Sequence, residues 1–243
     1  MKRLQFVYVL LVFFFVSCKK DSIPPIATYG EIRIVLGHDV DGTPLMTDTI
    51  RWQNQAGEIY GIDRLQYYLS NFRFYNNGKL VHTSKMVRYI DAFIDSTCTF
   101  SIPLVGATTG PCDSVAFLLG LDTSQNISFS LPPTIENSDM GWPDNMGGGY
   151  HFIKLEGYWR DGSMLTGFAL HVGRNGYAIP MGCRCNVDIT NATTRLLPLS
   201  MNVNEWFRTP ANYSFATDGT YSMNNMALMR KLCTNATDVF SAL

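Results

Sequence analysis

Tyr150-His151-Phe152-Ile153-Lys154-Leu155-Glu156-Gly157-Tyr158 is the stretch on which the reading of the fold turns. At a period of two, His151, Ile153 and Leu155 fall on one side, and Tyr150, Phe152, Lys154 and Glu156 on the other. A β-strand arranges its side chains this way. Working outward, the same alternation recurs. Ile32, Ile34 and Leu36 alternate with Glu31, Arg33 and Val35, and Val115, Phe117 and Leu119 share one face. Residues 65–75 are rich in Tyr, Phe and Leu, a strand composition. Residues 87–94, 168–172 and 196–203 read as further strands. Asn76-Asn77-Gly78, Gly110-Pro111, Asp161-Gly162 and Asn175-Gly176 punctuate these runs as turn signals. Many short strands so divided predict an all-β protein, a β-sandwich. Met226, Met229, Leu232 and Cys233 fall at helical spacing within residues 223–240, so a short C-terminal helix is expected to close one end of the sandwich.

One segment breaks the pattern. Residues 131–149 carry Pro132, Pro133 and Pro143 and end in Gly147-Gly148-Gly149. A loop this long inside a compact domain is often functional. It brings Met140, Trp142 and Met146 next to the strand bearing His151. Thioethers suit Cu(I) better than hard cations. The same three side chains would equally cover an apolar end of the sandwich.

The N-terminus reads as an address. Lys2 and Arg3 precede an apolar run from Leu4 to Val16, then Ser17 and Cys18. Charge, apolar stretch and small residue in this order describe an export signal. The run is shorter than the roughly 20 residues that a spanning helix needs. Phe15-Val16-Ser17-Cys18 resembles a relaxed lipobox, with Cys18 the lipidated residue. The expected organisation is a signal peptide over 1–17, a lipid anchor and tether over 18–29, and one domain over 30–243. The expected location is a bacterial cell envelope, with a lipid anchor in the outer membrane.

Hydrophobic residues make up 46% and charged residues only 16%, which excludes a disordered chain. The net charge is −1 and no basic stripe exists, so nucleic acid is not an expected partner. Of the six cysteines, five remain after Cys18. An oxidising compartment permits disulfides, and the odd count leaves a thiol unpaired. Cys98 with Cys112 is the first pairing to expect. Either Cys183 or Cys185 can also pair with Cys233, and the sequence does not decide which.

Motifs for zinc proteases, haem attachment, serine hydrolases and phosphate loops are all missing. The histidines are His38, His82, His151 and His171. Two imidazoles brought together from distant strands suit copper or zinc, but spacing alone does not show which two meet.

Four segments carry a resemblance in the correct order: Leu65-Gln66-Tyr67-Tyr68-Leu69-Ser70-Asn71-Phe72-Arg73-Phe74, residues 117–126, residues 140–157, and Phe168-Ala169-Leu170-His171-Val172-Gly173. Together they resemble the MbnP-like family of copper-binding proteins, over nearly the whole chain after the signal. The resemblance implies a sandwich that binds one copper through two histidines. These would be His171, on the family's strand-end position, and His38, after the first strand. Trp142 matches the first Trp of a paired-Trp segment whose second Trp has no counterpart here, and Trp142 or Met140 would be a third participant. In some members a dihaem cytochrome c peroxidase-like partner oxidises that Trp. The implied role is copper acquisition or storage without enzymatic activity. A non-metal surface module that binds a protein or a glycan is the rival reading.

Overall fold

The computed structural model describes residues 30–189 and 193–243. The expected signal, Cys18 and the tether lie outside the described residues. Among the described residues, twelve strands form the body: β1 (Glu31–Val40), β2 (Thr43–Pro44), β3 (Trp52–Gln53), β4 (Ile59–Asn76), β5 (Lys79–Asp91), β6 (Thr99–Pro103), β7 (Gly110–Leu119), β8 (His151–Asp161), β9 (Met164–Gly173), β10 (Ile179–Ile189), β11 (Thr194–Asn202) and β12 (Phe240–Ala242). Short α-helices accompany these strands: α1 (Ile135–Asp139), α2 (Phe215–Asp218) and α3 (Met226–Asn235).

The strands make two sheets. One runs β12-β11-β1-β2, with β6 also on β1; the other runs β10-β7-β4-β8-β9, with β3 and β5 also on β4. The protein is thus an all-β sandwich with a short C-terminal helix. Apolar residues at period two explain the layering. Ile32, Ile34 and Leu36 of β1 are buried, while Arg33 and Val35 are exposed. Aromatic rings bridge the layers: Tyr67 and Phe117 of the large sheet meet Phe240 of the small one, and Phe72 meets Phe100.

Register fixes which residues share a face. Tyr67 pairs with Ile153, and Ile153 with Val172, so this row faces the small sheet. The neighbouring row of Gln66, Lys154 and His171 therefore points away from it.

Several local expectations change. Gly110-Pro111 opens β7 instead of turning the chain. The C-terminal helix ends at Asn235, and the chain then adds β12 to the small sheet. Asn77-Gly78 and Gly162 do turn the chain, each in the left-handed region. All five described cysteines are free. Cys98 donates to Asp91 O and Cys233 to Tyr177 O, so neither makes the disulfide considered for it.

Candidate metal centre

His171 sits near the end of β9, on the outer row of the large sheet. The imidazole it meets is His151, with ring centroids 4.9 Å apart at 86°. Simple alternation puts His151 with Ile153 and Leu155, facing the small sheet. A β-bulge reverses that. His151 pairs with Gly173 and Ile153 with Val172, so Phe152 is one residue too many for its partner strand. The extra residue shifts the phase of β8 and turns His151 to the outer face beside His171.

His38 lies elsewhere. It falls within β1, and its Nε2 meets the Tyr67 hydroxyl at 2.7 Å. Tyr67 belongs to the row that faces the small sheet. His38 and His171 are therefore on opposite faces of the large sheet, and the expected His38–His171 pair is not brought together.

Each imidazole of the observed pair is oriented by an acceptor. His151 Nδ1 lies 3.2 Å from Met140 O, and a carbonyl only accepts, so Nδ1 carries the hydrogen. His171 Nε2 lies 2.8 Å from Glu156 Oε1, and in the neutral ring it donates to that carboxylate. The nitrogens left with lone pairs are His151 Nε2 and His171 Nδ1. Both are buried, and neither has a hydrogen-bond partner. Burial, with neighbouring His171 and Lys154 adding repulsion, pushes the His151 pKa down to about 4. The hydrogen bond from His171 holds the Glu156 carboxyl below the usual range, and Arg64 reaches the same oxygen at 3.3 Å.

The loop before β8 forms the roof. Thr134 caps α1 by accepting from Asn137 N. Met140 O takes the backbone N–H of His151 at 2.7 Å, and Trp142 N donates to Gly149 O. Lys154 Nζ reaches back to Asp139 O and Oδ2 at 2.6 and 2.9 Å. Gly147, Gly148 and Gly149 all have positive φ and reverse the chain into β8. A Cβ on Gly149 would stand 2.3 Å from Asn126 Oδ1, so only glycine fits there.

Trp142 packs on His151 with centroids 4.7 Å apart and donates from Nε1 to Met146 O. Its ring lies flush on the next backbone: a Cβ on Gly173 would meet Trp142 Cε3 at 2.3 Å. The indole is 3% exposed, at the floor of a cleft of about 500 Å³ also lined by Phe129, Leu131, Pro132 and Tyr150. Met140 is fully buried and serves through its carbonyl. From the other side Ser222 clamps the His171 backbone, accepting from its N–H at 2.6 Å and donating to its C=O at 2.5 Å.

Of the residues named from the sequence, His171 and Trp142 both lie against His151 and Met140 lends it a carbonyl, while His151 and Glu156 were not named as site residues. A signal for His151 existed: the adjacent apolar pair Phe152-Ile153 breaks the alternation where the bulge falls. Lys154 pairs with Asp139, while Glu156 serves His171. Asp122 takes Asn71 and Ser124. Among the described residues no group of three or more His, Cys, Asp or Glu is placed to hold a metal ion. The centre is a two-imidazole arrangement beside an indole.

Fold and site together define a class: a two-sheet sandwich with a buried, outward-facing imidazole pair roofed by a glycine-terminated loop. Residues 29–227 match the family model described as MbnP, and the chain belongs to the MbnP family. A solved structure, MbnP from Methylosinus trichosporium, superposes with a TM-score of 0.51 at 12% identity, covering 73% of this chain and 77% of that one. At that identity the likeness speaks for the fold alone. No curated protein matches the sequence.

Proposed function

We propose that the protein binds one copper ion between His151 Nε2 and His171 Nδ1, with Trp142 as the neighbouring ring, and serves copper acquisition or storage at the envelope rather than catalysis. The supporting observation is the pair of buried imidazole nitrogens, each with a lone pair and without a partner. Leaving such atoms unsatisfied is costly in a folded protein, and a borderline-soft metal ion satisfies both. Imidazole suits copper, and a carboxylate or carbonyl behind each ligand is the usual outer support. Family membership favours the same reading, and the export signal read from residues 1–18 supplies the location. When bound, copper brings its Cu(I)/Cu(II) couple. The chain itself orients the two rings, keeps His151 neutral and excludes water beneath the loop.

Copper titration of the purified chain tests this. One equivalent is expected to bind. His151→Ala and His171→Ala should each abolish binding, and His38→Ala should retain it. Absence of copper binding in the unmutated chain under both reducing and oxidising conditions would overturn the proposal. So would a loss confined to His38→Ala.

A further inference from the structure

The metal centre uses no cysteine, yet two cysteines meet. Cys112 on β7 and Cys185 on β10 have their Sγ atoms 3.8 Å apart, and Cys185 Sγ also reaches Cys112 O at 3.7 Å. The contact comes from an irregularity in register. Arg184 pairs with Ser114 and Val187 with Cys112, so Cys185 and Asn186 together oppose Asp113. The extra residue swings Cys185 over its neighbour. The other described cysteines are satisfied singly, Cys98 by Asp91 O, Cys183 by Phe240 O and Cys233 by Tyr177 O.

We infer that Cys112 and Cys185 form a reversible disulfide by exchange with a small-molecule disulfide, Cys185 being the sulfur that meets the oxidant and Cys112 the one that closes the bridge. A disulfide S–S bond is about 2.05 Å long, so the sulfurs must approach by just under ~2 Å, within reach of side-chain rotation on paired strands. Access assigns the roles. Cys112 is 1% exposed, whereas Cys185 is only half-buried, on the edge strand of its sheet. The thiols also share a proton. The hydrogen bond from Cys185 pulls the Cys112 thiol down to about 7 and pushes that of Cys185 up. At rest the proton therefore stays on Cys185, and it crosses the contact to Cys112 as Cys185 attacks the oxidant.

The chemistry balances with glutathione disulfide as the oxidant. The Cys185 thiolate attacks one of its sulfurs, forming a mixed disulfide and releasing one glutathione thiolate, which takes the Cys112 proton. The Cys112 thiolate then attacks the Cys185 sulfur and expels the second glutathione, which is protonated from solvent. Starting from the thiol–thiolate pair, the protein loses two electrons and one proton, solvent supplies the second proton, and one glutathione disulfide becomes two glutathiones.

Peptide mapping without reduction tests this on the full chain, first reduced, then exposed to glutathione disulfide and blocked at its remaining thiols. A peptide pair joined through Cys112 and Cys185 is expected, about 2 Da lighter than the two thiols. Cys112→Ser should stop at a glutathione adduct on Cys185, because no second sulfur resolves it. Cys185→Ser should leave Cys112 reduced. Recovery of both as blocked free thiols in the unmutated chain overturns the inference, as does a bridge from either one to Cys183 or Cys233. The unmutated chain decides this even where a variant fails to fold.

Discussion

Glu156 and the Met140 carbonyl decide which nitrogens of the centre are bare. Each holds the N–H of one ring, so the opposite nitrogen of that ring keeps a lone pair that has no hydrogen-bond partner. The carboxylate does more than the carbonyl, since it raises the electron density of the His171 ring by accepting a charge-assisted hydrogen bond. Glu156→Gln keeps the size and an acceptor oxygen but removes the charge, and the amide is free to present its NH₂ instead. Copper affinity should fall by roughly 10–100-fold, the usual cost of losing such an outer partner. Competition against a chelator of known affinity measures it, with Glu156→Asp recovering part of the loss. Unchanged affinity in Glu156→Gln would mean that the carboxylate only pairs with Arg64.

At the scale of elements, the centre depends on a strand with a phase shift and a loop tied to it. The tie is Lys154 to Asp139, and it is unequal: the Lys154 side chain is 7% exposed and the Asp139 side chain 51%. Removing either partner therefore has different consequences. Asp139→Ala strands a buried ammonium with only a carbonyl for company, and breaking a pair that way costs about 3 kcal/mol. Lys154→Met leaves a carboxylate that water already reaches and should cost roughly 1 kcal/mol or less. Chemical denaturation of the two variants checks the order; the reverse order would show that the loop is held by its backbone bonds alone. These elements also mark where reading the sequence stopped. The period-two runs found the strands because burial on one face imposes that period. His171 was legible through the resemblance of the segment Phe168 to Gly173, which places a histidine at the end of this strand. His151 was not, because a bulge exchanges faces without changing composition, and the period from Ile153 onward predicts the wrong side for it. His38 looked like a ligand from its place after the first strand, but only register shows that Tyr67 takes its nitrogen on the inner face. Cys185 escaped for the same reason as His151.

Across the whole molecule, the two faces of the large sheet each shield a neutral histidine, a half-buried His38 on the sandwich side and a buried His151 beneath the loop. Burial pushes both down to about 4 and lowers His82 as well. In the unfolded chain these rings take a proton near 6.5. Between about pH 6.5 and 4 the unfolded state therefore binds more protons than the folded one, so stability rises with pH across that window. It is present in full above about 6.5 and is lost as the pH falls toward 4. Each ring contributes a slope of up to about 1.4 kcal/mol per pH unit, so copper-free protein should lose roughly 2–5 kcal/mol between pH 7 and 4.5. Below that range the decline continues, because hydrogen-bonded carboxylates such as Glu58 and Glu156, held below their usual range, begin to be protonated. Urea unfolding across this pH series measures the effect. His38→Gln keeps a partner for the Tyr67 hydroxyl and titrates no proton, so it should flatten the slope by about one ring's share. A stability that is level from pH 7 to 4.5, or a His38→Gln slope as steep as that of the unmutated chain, would show that His38 is not held neutral by the sandwich.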